Sequence, residues 1–186
     1  MSKNLRYAVI LFSICAVCAL ILALANSVTA PVIAVHAEET RQAALSEIAV
    51  GNKVGQEEAL DGKDGIVSRM KLESGGKLVG YLLTLKGNGY GGEFTMMASF
   101  SLDGKILAAK MLSDGETPGL GKKSEESWYM TKFIGTGTKD KPVPTSKGML
   151  AKADSDAVSG ASVTFGGVSK VLAAGSAYVL SAGGAK

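Results

Sequence analysis

Glu93 to Leu112 reads EFTMMASFSLDGKILAAKML. Two strand-like runs, Glu93 to Leu102 and Lys105 to Leu112, are divided by Asp103-Gly104, a dipeptide suited to a two-residue antiparallel turn. Just upstream, Ile66 to Leu72 and Lys77 to Leu85 form another pair around Ser74-Gly75-Gly76, a second hairpin signal. Four strands in succession predict an antiparallel sheet, and helical patterns on either side of it make the class α+β. Between the pairs, Gly87-Asn88-Gly89-Tyr90-Gly91-Gly92 holds too much glycine to remain a strand and reads as a loop.

Toward the N-terminus, Tyr7 to Ala25 is apolar and uncharged, close to the ~20 residues a helix needs to cross a bilayer. Lys3 and Arg6 precede this run and no lysine or arginine follows it until Arg41, which places residues 1–6 in the cytoplasm by the positive-inside tendency. A cleaved signal peptide is the competing reading, with Ala23-Leu24-Ala25 or Val28-Thr29-Ala30 as small-residue sites; the length of the run favours an anchor. Cys15 and Cys18 lie inside this segment and read as packing residues, because buried thiols are poor ligands and metal sites normally need four donors. Residues 26–50 form a stalk, with AEETRQAALSEIA patterned as a surface helix. His36, the sole histidine, excludes a Ser-His-Asp triad and a multi-histidine metal centre. Residues 51–186 then make one outward-facing domain, with 51–65 polar and rich in turns.

Beyond the sheet, Glu116-Thr117-Pro118-Gly119-Leu120-Gly121 is a shaped loop: Pro118 fixes its own φ and restricts Thr117, while the glycines allow backbone amides to approach a flat ligand. Lys122 to Phe133 reads as a helix contributing Trp128, Tyr129 and Phe133 to the core, and 135–147 as a surface loop. Asp156 to Gly167, DAVSGASVTFGG, places the hydroxyls of Ser159, Ser162 and Thr164 among glycine and alanine, where another molecule can reach them. Val168, Val171, Leu172, Tyr178 and Val179 follow at helical spacing. The hydroxyls therefore stand at a helix entrance, where unpaired amides and the positive end of the dipole favour a phosphate. A serine hydroxyl is a weak nucleophile that needs a base or a metal to activate it, and Asp154 and Asp156 are the only local candidates.

DAVSGAS, behind ETPGLG and an N-terminal anchor, resembles the flavinylation motif of the FMN-binding domains found in Rnf and sodium-translocating NADH:quinone oxidoreductase complexes. The resemblance implies FMN esterified through its phosphate to Ser162. The acceptor in that family is more often threonine; here serine takes its place and Thr164 follows two residues later, as an alternative acceptor or a hydrogen-bonding partner of the phosphate. By the same resemblance Ser159, Gly160 and Ala161 surround the attachment point, and Glu116, Thr117, Gly119 and Leu120 line the flavin pocket. Tyr90, Gly91 and Gly92 lie close to the ring, although a long flexible turn would give the same sequence. Asp156 and Ser159 are then elements recognised by a separate Mg²⁺-dependent flavin transferase, which moves FMN from FAD; a plain turn residue is the alternative for Asp156 and a helix cap for Ser159.

The implied role is that of an electron carrier with covalent FMN, anchored by a single pass through the inner membrane. It would pass electrons among the membrane and peripheral subunits of an Rnf-type ferredoxin:NAD⁺ oxidoreductase, as its G-type subunit. The C-type subunit of the quinone reductase is an alternative, as is a membrane-anchored binding or sensory module without cofactor. Composition narrows the field further. The chain has 186 residues, a net charge of +3 and 24 glycines, enough for one domain plus an appendage. Its charges are interspersed, with no basic stripe of the kind nucleic acid requires.

Overall fold

The computed structural model describes residues 2–183. The chain divides into two units between Arg41 and Gln42. The first belongs to a long helix, α1 (Lys3–Ile48), which runs without interruption through Asn26 and Pro31. The segments read separately as membrane span and stalk thus share one helix. Its apolar part is long enough to cross a membrane and carries no buried side chain. Hydroxyls along it bond within the helix: Ser13 donates to the Val9 carbonyl at 2.9 Å and Thr29 to that of Ala25 at 3.0 Å. The helix stops where Val50 and Gly51 take φ of 50° and 75°. Glycine does so freely, whereas for valine it costs about 1–2 kcal/mol.

The second unit is built on a sheet of five antiparallel strands in sequence order: β1 (Lys53–Ala59), β2 (Ile66–Ser74), β3 (Lys77–Asn88), β4 (Glu93–Ser101) and β5 (Ile106–Ser113). Two expectations need correction. The polar stretch after Gly51 contributes β1, a fifth strand at the sheet edge with a register shift between Val54 and Glu57; it was hidden because KVGQEEA buries no side chain fully. The β4–β5 connection is longer than a two-residue turn. Ser101 N–H donates to the Lys105 carbonyl at 2.9 Å and Gly104 N–H to that of Ser101 at 2.9 Å, so residues 102–105 all lie in the turn.

Alternation along the strands sends side chains to both faces. Leu83, Leu85, Phe94, Met96 and Phe100 form the larger core with Phe165, Val168, Leu172 and Val179 of α4 (Ser162–Gly183). On the other face Met70, Leu72, Leu82 and Met97 pack with Ile48, from the last turn of α1. Glu47 and Lys110 add an ion pair at that edge. Gly167 lets α4 approach β3 closely: a Cβ there would stand 2.2 Å from the Asn88 carbonyl oxygen. The start of α4 is thereby fixed over the end of β3.

Residues 122–133 are not one helix, a third correction. A 3₁₀ turn (Gly121–Glu125) and the short α2 (Ser127–Met130) are separated by Glu126, which is extended at φ −72°, ψ 136°. Tertiary packing overrides the local pattern, because the break lets Tyr129 and Phe133 reach Phe165 of α4. The Phe133 and Phe165 rings stack at 4.8 Å between centroids, and Tyr129 meets Phe165 edge-on at 6.1 Å. A further helix, α3 (Lys152–Ala157), leads into α4. Phe165→Ala is expected to lower unfolding stability by about 3–5 kcal/mol, measured as a fall in denaturant midpoint for the full chain in detergent.

Candidate functional site

Three loops meet at one end of the sheet: 89–92 between β3 and β4, 114–121 after β5, and 158–161 before α4. They enclose an open cavity of about 290 Å³. Of the residues singled out in the sequence, Tyr90, Glu116, Thr117, Leu120, Gly160, Ala161, Ser162 and Thr164 line it. Gly91, Gly119, Ser159 and Asp156 stand outside the lining; Gly121, read from the sequence as a loop glycine, belongs to it, as does Val163, which was not singled out. Tyr90, Leu120 and Val163 are exposed at 77%, 50% and 57%. Together they give the cavity an apolar rim broad enough for a flat ring.

Glu116 holds the loops together. It is buried, and its Oε1 accepts the Tyr90 amide at 2.9 Å while Oε2 accepts that of Gly91 at 3.2 Å. Its own amide donates to Asp114 Oδ1 at 2.9 Å. Among the described residues no lysine or arginine pairs with it; the main chain alone satisfies it. That requires bare backbone on both sides. A Cβ on Gly89 would lie 1.8 Å from Oε1, and one on Gly121 2.0 Å from Oε2. These two glycines were legible as flexible, whereas their role is to leave room for a carboxylate.

The start of α4 is the polar wall. The Phe165 amide donates to the Ala161 carbonyl at 2.8 Å, making Ala161 the residue that caps the helix. The amides of Ser162, Val163 and Thr164 therefore have no partner within it. Ser162 is exposed at the first helical position. Thr164 is fully buried, and its Oγ1 has no hydrogen-bond partner. The preceding turn is anchored: Ser159 Oγ donates to the Ser155 carbonyl at 3.1 Å and accepts from Lys147 Nζ at 3.3 Å. Asp156 is exposed, and its carbonyl accepts the Ser159 amide at 3.1 Å.

Asp114 Oδ2, Ser124 Oγ and Tyr129 Oη are buried without partners, as is Thr164 Oγ1. Of the four only Thr164 lines this cavity, and an orphaned hydroxyl there marks a place built for something else to bond. The Thr164 hydroxyl and the free amides of residues 162–164 are donors for an anion at the start of α4, with the rim open to a flat ring, so the residues present suit a flavin phosphate. The Tyr129 phenol is pushed upward, first by burial and then by the nearby charge of Glu116. A raised folded-state value means its stabilisation is complete below the ordinary 10.0 and is lost as pH climbs above it. Tyr129→Phe should therefore leave stability at pH 7 unchanged or raised and reduce alkaline unfolding above pH 10.0, followed by circular dichroism. Gly121→Ala should cost about 2 kcal/mol by displacing the Glu116 carboxylate, and limited proteolysis should then cut within 89–92 faster than in the unmodified sequence.

Comparison with known proteins agrees with this geometry. Residues 89–175, which contain all three loops, match an FMN-binding domain, and residues 1–48 match an RnfG N-terminal region. The chain is 32% identical over 176 residues to the G subunit of a Na⁺-translocating ferredoxin:NAD⁺ oxidoreductase complex from Acetobacterium woodii, covering 86% of this chain and 83% of that protein. It is also 32% identical over 166 residues to the G subunit of an ion-translocating oxidoreductase complex from Cereibacter sphaeroides, covering 83% and 73%. The G subunit of a proton-translocating ferredoxin:NAD⁺ oxidoreductase complex from Clostridium ljungdahlii is 28% identical over 101 residues, 53% of this chain and 52% of that one. A helix able to anchor in a membrane, an FMN-binding domain and this degree of likeness together show that the chain belongs to the family of G subunits of ion-translocating oxidoreductase complexes.

Proposed function

We propose that the protein carries FMN as a phosphoester on Ser162 and relays electrons between other subunits of an Rnf-type ferredoxin:NAD⁺ oxidoreductase. The observation that carries this reading is an exposed serine hydroxyl at the first position of a 22-residue helix, two residues from a buried threonine hydroxyl that lacks a partner. Attachment needs the exposed group, and holding a phosphate needs the buried one. The free amides of Ser162, Val163 and Thr164 would bind the phosphate oxygens beside Thr164 Oγ1. Tyr90, Thr117 and Leu120 would hold the ring against the loop fixed by Glu116, with Gly160 and Ala161 leaving access to Ser162. The chemistry FMN supplies when bound is the transfer of one or two electrons.

Attachment is the work of a separate flavin transferase acting on FAD. Ser162 Oγ forms a bond to the phosphorus of the FMN half, the P–O bond to the AMP half breaks, and AMP leaves with the electron pair. The serine proton goes to a base of the transferase. Asp156 is exposed on the turn before the acceptor, accessible to that enzyme as a recognition element. The chain would cross the inner membrane once through 7–25, with residues 1–6 in the cytoplasm, 26–50 as the stalk and 51–186 outside.

Co-expression of the full chain with a flavin transferase should give a band that fluoresces on denaturing electrophoresis and a mass raised by one esterified FMN. Ser162→Ala should abolish both, while Thr164→Ala should retain the ester. The reverse pattern would move the acceptor to Thr164, and an unmodified wild-type mass would overturn the reading.

A further inference from the structure

The turn that carries the acceptor is gripped from outside by a side chain whose role lies beyond the loop and helix already described. Lys123 stands in the 3₁₀ turn that follows Gly121, and its Nζ donates to the Ser159 carbonyl at 2.9 Å and to the Ala157 carbonyl at 3.4 Å. The Ala157 carbonyl belongs to the last residue of α3 and that of Ser159 lies just beyond it. Gly160 follows at φ 88°, and the Ala161 amide bonds back across it to the Val158 carbonyl at 3.0 Å. The turn whose main chain Lys123 bonds therefore runs directly into Ser162. Lys147 bonds only the Ser159 hydroxyl, not the main chain of the turn.

We propose that Lys123 is a positioning residue for modification at Ser162: it ties the 157–159 turn to the segment after Glu116 and so fixes the direction in which the Ser162 hydroxyl is presented. The inference rests on Ser162 being the acceptor. Lys123 touches none of the reacting atoms. The bond from Ser162 Oγ to phosphorus forms as the FAD pyrophosphate link breaks and AMP departs, and that displacement is sensitive to the approach of the oxygen. Misplacement by about 1 Å can cost on the order of a hundredfold in rate.

The test uses the full chain, purified unmodified in detergent and incubated with a flavin transferase, Mg²⁺ and FAD, with fluorescent product followed in time. Lys123→Met is expected to lower the maximal rate by about tenfold or more, with the FAD concentration for half-maximal rate and the melting temperature of the unmodified chain near wild type. Lys123→Arg, which restores donors, should recover most of the rate, and Lys147→Met should stay within about twofold. The proposal is overturned if Lys123→Met reacts at the wild-type rate, or if only its half-saturating FAD concentration changes. It is equally overturned if the loss tracks a collapsed melting temperature that Lys123→Arg does not restore along with the rate. Failure of the wild-type chain to take up flavin would instead sink the acceptor assignment itself.

Discussion

A buried carboxylate that reaches only main-chain amides ties this site together. Glu116 accepts from Tyr90 and Gly91 across a distance of 25 or more residues in sequence, so the loop after β3 and the loop after β5 cannot move apart without stranding it. Hydrogen bonds to a charged group contribute about 1.5–3 kcal/mol each, and stranding the group costs more. The glycines at 89 and 121 are the counterpart of that bond, since side chains there would occupy the carboxylate's own position. What a sequence displays as slack backbone is here a cradle of fixed dimensions.

The third loop is held differently, through aromatic packing. Phe133 and Tyr129 on one side and Phe165 on the other set the start of α4, and Gly167 seats it against Asn88. The helix that begins at Ser162 therefore takes its position from the core, while the turn before it is held by Lys123. The immediate surroundings of glycine and alanine leave Ser162 accessible, and the packed helix beneath leaves it nowhere to wander. On the proposed role this combination suits a carrier outside the cytoplasm, where a tethered flavin keeps a high effective concentration without resupply.

Much of this was legible because apolar alternation marks buried strands and the two glycine-rich loops punctuate them. β2 to β5 and the helix that begins at Ser162 followed from pattern alone. β1 did not, because an edge strand facing water lacks the alternation that reveals its neighbours. The segment from Lys122 to Phe133 misled because its aromatics sit at helical spacing, yet they pack in two directions across a break at Glu126. At the site, hydroxyls and glycines announced themselves by type. Val163 did not, since nothing in an isolated valine separates a rim from a core. Nor did the pairing of Glu116 with Tyr90 and Gly91, which exists only once distant loops are brought together.

The sheet order β1-β2-β3-β4-β5 makes every strand pairing a contact between neighbours in the chain. Such pairings close short loops and assemble quickly. Their inner face is covered last in chain order, because α4 follows every strand and returns over β3 and β4. On the proposed role, Ser162 therefore gains the cavity beside it only when that helix has docked.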